Sequence, residues 1–327
     1  RALNKLREFV EFTGEVENVS IHRLLVLDEK HLAIRLVPRH LYRLWRMAKE
    51  EGKDLDVGIA IGVHPAIMLA AASSPPFGVS EYRIANELLD KKLRLVQCKS
   101  VDAYVPSEAE LVLEGRISHK KEVLEGPLAD ITGTYDVQRM QPVVEIVNIS
   151  HRENYIYQAL LPGGPEHRLL MGLPREVAIY EAVSRVVPNI KAVNLSEGGC
   201  GWLHAIISIE KQTEGDAKNA ILAAFVAHGS LKHVIVVDAD IDVYDLKSVE
   251  WALATRFQAD EDLIMIRNIH GSTLDPSANQ ESGLTTKLGI DATKPLSKPQ
   301  EGFHRAHIPL TPKAKRIIKL LKRKGTI

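Results

Sequence analysis

The run Leu161-Pro162-Gly163-Gly164-Pro165 constrains this chain more than any other stretch. Two prolines without an amide hydrogen and two glycines with open φ cannot sit inside a strand or a helix, so regular structure stops there. The two sides read differently. Ahead of the break, strands outnumber helices. Beyond it, strand and helix alternate: Arg168–Met171 as strand, Arg175–Val186 as helix, strands Ala192–Leu195 and Ile206–Ile209, helix Ala217–His228, strand His233–Val237 and helix Lys247–Thr255. That alternation predicts an α/β unit with a parallel or mixed sheet. The expected units are 1–161, 162–256 and 257–327. The last returns towards the body and ends in a basic amphipathic helix over Lys313–Lys324, expected to dock rather than to anchor in a membrane.

The first half carries the chemistry-bearing residues. Residues 1–17 read as a charged amphipathic lead-in, helical around Leu3 to Phe12. Asn18–Leu27 reads as a strand whose alternation puts Asn18, Ser20 and His22 on one face and Val19, Ile21 and Arg23 on the other. An arginine among aliphatic residues is costly to bury unless it meets a carboxylate or an anionic ligand. A second strand, Leu32–Val37, follows the Asp28-Glu29-Lys30 turn and ends at Pro38-Arg39-His40, before a helix over Leu41–Glu50. His40 at this junction suits either a satisfied structural role or a ligand facing a pocket. After the strand Val57–Val63 and the helix Ala66–Ala72, Ser73 and Ser74 precede a Pro-Pro-x-Gly loop, where hydroxyl and backbone donors can meet a phosphate. Ser80 reads as an N-cap and Glu81 as the first residue of a helix through Leu89, a place a carboxylate favours for capping alone. Leu93–Cys98, Glu110–Leu113 and Gln141–Ile149 read as further strands.

Between the last two strands, Leu124 to Asp136 sets Glu125 and Asp130 on either side of a Gly126-Pro127 turn. Proline fixes its own φ, so these acids are held rather than free. The stretch alone fits a solvated turn or a proton-transfer pair whose environments separate two pKa values.

Other chemistries fall away. Asp238-Ala239-Asp240-Ile241-Asp242 opens like a calcium loop, but Val243 stands where glycine is needed and Val249 where glutamate is needed. Gly198-Gly199-Cys200-Gly201-Trp202 lacks dinucleotide or P-loop spacing and reads as a tight turn packing Trp202. Lys+Arg and Asp+Glu are both 42, so no net field favours nucleic acid or a membrane surface, and aromatics at 5% offer little for base stacking. No apolar run approaches the roughly 20 residues that span a bilayer. Two cysteines make neither a disulfide framework nor a cysteine metal site, and a reducing cytoplasm suits them.

Taken together, Asn18, His40 and Glu81 offer the oxygen, imidazole and carboxylate donors that suit Mn²⁺ or Mg²⁺ with positions left for phosphate. Arg23 with Glu125 and Asp130 suits holding an acid and delivering a proton. The ordered set Asn18-x-Ser20-x-x-Arg23, Arg39-His40, Gly78-Val79-Ser80-Glu81 and Glu125-Gly126-Pro127 with Asp130 resembles the UbiD family of prenylated-flavin-dependent decarboxylases, and does so from Asn18 to the end. The resemblance implies a split β-barrel domain that binds prenylated FMN, followed by an α/β domain that takes part in homo-oligomerisation as a dimer or hexamer. It implies Asn18, His40 and Glu81 as ligands of a divalent metal, usually manganese, with a potassium ion nearby. It implies that Arg23, Arg39, Ser73, Ser74 and Lys287 bind the cofactor with them, and that Arg23, Glu125 and Asp130 form the catalytic triad.

Asp130 stands where many members have glutamate, and only 17 residues precede the first motif where the family carries an N-terminal α/β region. The implied reaction is non-oxidative decarboxylation of an α,β-unsaturated acid, with a flavin prenyltransferase supplying the cofactor. The stretches Asn18–Arg23, Leu36–His40 and Asp130–Asp136 look most like an archaeal branch that converts trans-anhydromevalonate 5-phosphate to isopentenyl phosphate in a modified mevalonate pathway. A phosphorylated substrate needs cations beyond Arg23, and His22, Arg39, Arg139 and Lys287 are the candidates. The alternatives are a hydroxybenzoate-type decarboxylase and a non-catalytic flavin- or metal-binding protein.

Overall fold

The computed structural model describes residues 17–306 and 309–323. The expected helix over Leu3–Phe12 lies outside them. The first half builds an open antiparallel sheet in the order β1-β2-β7-β6-β3, formed by β1 (Leu24–Val26), β2 (His31–Ile34), β3 (Leu55–Ile61), β6 (Leu111–Glu125) and β7 (Arg139–His151). Its two edge strands do not pair with each other, so the sheet does not close. The long β6–β7 hairpin is its backbone, in register from Leu111↔His151 to Glu125↔Arg139 with two irregularities between. A separate two-stranded ribbon, β4 (Leu95–Gln97) with β5 (Tyr104–Pro106), lies beside it, and β5 was not expected from the sequence.

Helix α1 (His40–Glu50) covers this sheet through Trp45, which packs with Leu32, Ile34, Leu36, Ile117 and Val144. Helices α2 (Pro65–Ser73) and α3 (Glu81–Leu88) share a smaller core of Ile67, Ala70, Tyr82 and Ala85. Each caps as its sequence suggests: Pro65 stands in the first turn of α2, and Ser80 Oγ accepts the Tyr82 N–H of α3 at 3.1 Å.

Beyond the break the expected strand over Arg168–Met171 is not formed. A single helix, α4 (Pro165–Ser184), runs straight through it. The Gly-Pro that ends the first half also starts this helix, with Pro165 in the first turn and Glu166 there to favour the dipole, while Pro174 inside removes only one donor. The following sheet, ordered β11-β12-β10-β9-β8, is mixed. It comprises β8 (Ile190–Leu195), β9 (His204–Ile209), β10 (His233–Asp238), β11 (Leu263–His270) and β12 (Leu284–Ala292); β9, β10 and β12 run parallel, and the outer strands run against them. Period-two alternation sorts its side chains. Ala205, Ile207, Ile209, Val234 and Val236 face α4 and α5 (Asp216–Ala227), whereas Ile206, Ile235 and Val237 face α6 (Leu246–Arg256). Each such buried Val or Ile contributes roughly 1.5–3 kcal/mol.

A single-turn helix, α7 (Ala259–Asp262), precedes β11, and α8 (Pro312–Arg323) ends the described chain. α8 forms as its amphipathic pattern suggests but does not dock as expected: Ile317 and Leu320 stay about half exposed, at 47% and 56%. Among the described residues, no helix is long and apolar enough to cross a membrane.

Candidate active site

The end of β6 delivers Glu125, and the loop to β7 folds back on itself. Ala129 bridges to Tyr135, the Asp136 N–H donates to Leu128 O at 3.0 Å, and Ile131 is fully buried beneath. Gly126 takes φ +103°, which a side chain would resist, and lets the strand turn out of the sheet. Gly163 of the break packs against the same loop, where a Cβ would lie 3.1 Å from Asp130 O. The start of α4 therefore buttresses the acids.

Arg23, immediately ahead of β1, reaches all of them. Its Nε donates to Glu125 Oε1 at 2.8 Å and its Nη2 to Glu125 Oε2 at 2.9 Å, a bidentate pair. Nη1 donates to Asp130 Oδ2 at 2.8 Å, and Nη2 also to Asp136 Oδ2 at 3.0 Å. Glu125 is fully buried. Burial opposes the Arg23 charge, but the bonds and charges of Glu125, Asp136 and Asp130 more than restore it, so its pKa is raised and the guanidinium stays ionised. Four of the five N–H groups of a guanidinium are thus spoken for by the protein's own acids. A bidentate grip on an incoming carboxylate requires one of these acids, Glu125 first, to withdraw.

Sequence reasoning did not include Asp136, the third acid. It accepts from Arg139 Nη1 at 2.8 Å and lies 3.7 Å from Arg35 Nη2. Burial pushes this carboxyl upward, but the Arg139 hydrogen bond and the charges of Arg139, Arg35 and Arg23 outweigh it and hold the pKa below the usual aspartate value. Its signal was present in the sequence, since Asp136 closes the acid loop and Arg139 follows by three residues. The hairpin register that turns both inward was not.

The other donor set gathers around Glu81. This carboxylate, 2% exposed, accepts the Val19 N–H at 2.8 Å on Oε2, and His40 Nδ1 lies 3.8 Å from Oε1. Asn18 precedes Val19 and donates to Ser20 Oγ at 2.8 Å, and Ser20 bonds His22 Nε2 at 2.7 Å. Burial lifts the Glu81 pKa despite the Val19 bond and the nearby imidazole. A buried carboxylate without a full counter-charge, 3.8 Å from an imidazole nitrogen, fits a hard divalent cation. Among the described residues no group of three or more His, Cys, Asp or Glu side chains gathers for a metal.

The residues expected at a cofactor phosphate divide. Ser73 Oγ turns back to donate to Ala70 O at 2.6 Å. Ser74, left-handed at φ +53°, holds its hydroxyl outward, 3.0 Å from Arg175 Nη2 and 3.5 Å from Arg39 Nη1. Lys287, 1% exposed in β12, donates Nζ to Gly229 O at 2.6 Å and sits over the Phe225 ring; burial lowers its pKa. Of the cations considered for a substrate phosphate, Arg139 is paired with Asp136, and His22 is bonded to Arg35 O at 2.9 Å. Arg39 has no acid partner among the described residues. Arg175, which the sequence did not single out, stands beside it.

Comparison with known proteins agrees over most of the chain. Residues 9–165 match the model described as the 3-octaprenyl-4-hydroxybenzoate carboxy-lyase Rift-related domain of UbiD, and residues 168–292 match the corresponding C-terminal domain. An anhydromevalonate phosphate decarboxylase of Methanothermobacter thermautotrophicus is 50% identical over 286 residues, covering 88% of this chain and 67% of that protein. The UbiD-class enzyme HmfF from Pelotomaculum thermopropionicum, solved with FMN, superposes with a TM-score of 0.88 at 44% identity over 91% of this chain and 66% of that one. An evolved dimeric form of the same enzyme, solved with prFMN, gives 0.82 at 41% identity over 91% of this chain and 65% of that one. The chain spans about two thirds of the length of the proteins it matches.

Proposed function

Because the chain belongs to the UbiD family of carboxy-lyases, we propose that it is a prenylated-FMN-dependent decarboxylase of an α,β-unsaturated acid, with trans-anhydromevalonate 5-phosphate as substrate and isopentenyl phosphate as product. The observation that carries this reading is the single arginine, Arg23, held by three acids at the mouth of the β6–β7 hairpin.

The bound prenylated flavin supplies an electron sink for the carbon that loses CO2. The rest falls to the chain. Arg23 takes the substrate carboxylate in a charge-assisted pair as Glu125 lets go, and Asp130 and Asp136 keep the guanidinium in place during the exchange. The bond from carbon to the carboxylate breaks and CO2 leaves, with the electron pair staying behind. Glu125, released from Arg23, takes up a proton from water and delivers it to that carbon, returning to the carboxylate that Arg23 holds. In this reading Asn18, His40 and Glu81 would hold a divalent ion, manganese or magnesium, that would neutralise the charge of the cofactor phosphate, and a potassium ion would share that task. Residues 1–161 form the cofactor domain, and 162–256 with the returning segment 257–327 form the domain through which copies associate, as a dimer or hexamer. The two unpartnered cysteines suit the cytoplasm. A flavin prenyltransferase provides the cofactor.

The test is single-turnover CO2 release by protein reconstituted anaerobically with prenylated FMN. The expected result is faster release from anhydromevalonate phosphate than from a 4-hydroxybenzoate-type acid. The reverse order assigns the chain to aromatic acids. Cofactor binding with no release from either acid overturns the decarboxylase reading.

A further inference from the structure

Arg35 differs from the other arginines of the acid centre. It follows β2, and hydrogen bonds fix its backbone. Its N–H donates to Arg23 O at 3.2 Å, its carbonyl accepts from His22 Nδ1 at 2.9 Å, and the Leu36 N–H donates to Gln141 Oε1 at 2.7 Å. The pairing Leu24↔Ile34 sets Arg35 opposite Arg23 on the neighbouring strand. Like charges directly opposite one another destabilise a sheet, so such a pair needs an anion between them. Asp136 is that anion, yet it is not bonded to Arg35. The Arg35 guanidinium, 14% exposed, makes no side-chain hydrogen bond among the described residues, and Asp136 Oδ2 lies 3.7 Å from its Nη2. Asp136 is already satisfied by Arg139 Nη1 at 2.8 Å and Arg23 Nη2 at 3.0 Å. The backbone is held firmly while the charged end is left without a bond.

The charges around this point balance. Three acids, Glu125, Asp130 and Asp136, face three arginines, Arg23, Arg35 and Arg139. His22 adds no charge at neutral pH, because burial lowers its pKa against the bond to Arg35 O. Burial and then the Arg139 charge lower the Arg35 pKa, with Arg23 adding to this and Asp136 and Glu125 opposing it, so Arg35 and Glu125 feel one another. When Glu125 lets go, three guanidiniums face two carboxylates and one positive charge is left over. Without Arg35 the same withdrawal would leave a neutral centre, and an arriving carboxylate would enter as an uncompensated, partly buried charge.

We propose that Arg35 is a positioning residue that acts through Arg23 by charge alone, making the place Glu125 vacates a receptor for one carboxylate. Arg23 supplies the two hydrogen bonds, and Arg35 supplies the charge that the exchange requires. The inference deepens the proposed decarboxylase reading, in which that carboxylate is the substrate's, but its test needs neither substrate nor turnover.

Glu125→Ala removes a methylene and a carboxylate, the group that acetate restores. Acetate and acetamide are titrated by calorimetry into the full chain carrying Glu125→Ala, alone and combined with Arg35→Gln, Arg35→Lys or, as a control, the exposed Arg185→Gln. Acetate should bind Glu125→Ala at least about tenfold more tightly than acetamide. Arg35→Gln should weaken acetate binding by about fivefold or more, the scale of one unit charge nearby, and leave acetamide unchanged. Arg35→Lys and Arg185→Gln should keep acetate affinity within about twofold. A merely structural role would move both ligands alike and would not be rescued by lysine. Acetate affinity unchanged by Arg35→Gln, lost equally in Arg35→Lys, or no better than that of acetamide overturns the proposal. Should Glu125→Ala not fold, urea unfolding of Arg35→Gln, Glu125→Gln and the double variant takes its place. Glu125→Gln should lower the midpoint less when Arg35 is already gone, and equal losses overturn the proposal. Acetate binding as expected without CO2 release from either acid leaves Arg35 in this role and removes only the decarboxylase reading. CO2 release with acetate affinity indifferent to Arg35 does the reverse.

Discussion

Replacing Asp136 with asparagine tests whether the arginine centre is held together as described. The carboxylate accepts from Arg139 Nη1 at 2.8 Å on one oxygen and from Arg23 Nη2 at 3.0 Å on the other, with Arg35 Nη2 at 3.7 Å. Asparagine keeps the shape and one acceptor, but turns an NH2 towards a guanidinium and removes the one carboxylate that, among the described residues, lies within 4 Å of Arg35 and Arg139. Hydrogen bonds to charged groups are each worth about 1.5–3 kcal/mol, and removing one partner of a buried pair costs about 3–5 kcal/mol. The side chain of Asp136 is only 2% exposed, but Arg23 and Arg139 are 18% and 24% exposed, so solvent relieves part of the cost. The expected loss is at the low end, about 3 kcal/mol.

Urea unfolding of wild type, Asp136→Asn, Arg139→Gln and the double variant measures it. The double variant should be less destabilised than the sum of the singles by about 1–2 kcal/mol, because removing both partners leaves fewer unbalanced charges. A cost below about 1 kcal/mol for Asp136→Asn, or singles that add within about 0.5 kcal/mol, would show that Asp136 does not hold this centre.

Glu125→Gln should retain flavin yet lose turnover by roughly 10² or more, with Asp130→Asn losing less; near-normal turnover in Glu125→Gln removes it as the proton donor. Glu81→Gln should lower manganese occupancy and flavin retention together, and full content of both by metal analysis and absorbance would take Glu81 out of the site. His228 and His204 are held neutral, at about 3 and about 4, chiefly by burial. The unfolded chain binds these protons near 6.5 and the folded chain does not, so their stabilisation is complete above about pH 6.5 and is lost as pH falls towards the folded values. At pH 5 each should cost about 2 kcal/mol in urea unfolding, and His204→Gln should remove about half of the slope; a slope unchanged by that substitution would contradict it.

The local signals in this sequence were strong where the chemistry is short-range. Pro65 and Ser80 marked helix starts, the Asp28-Glu29-Lys30 turn set the β1–β2 hairpin, and the Val and Ile alternation gave the strands of the second sheet. In each case the deciding interaction lies within a few residues, where propensity and capping operate. The pairing of Arg23 with Glu125 and Asp130 was legible because an arginine in an aliphatic strand demands a carboxylate, and the ordered motifs supplied one. Asp136 was not legible as a partner, since its direction depends on the hairpin register between β6 and β7. The strand expected over Arg168–Met171 failed for a related reason: four apolar and basic residues fit either period, and the Pro165 start together with packing of Gly172 on Gly201 selects the helix. Arg175 carried no local signal at all. An arginine on an amphipathic helix ordinarily reads as a solvated face, and only the contact between α2 and α4, about a hundred residues apart in sequence, sets it beside Arg39 and Ser74. The sequence determined which elements form and which charges must find partners; the tertiary structure decided which partners those are, because electrostatic pairing acts through space while propensity acts along the chain.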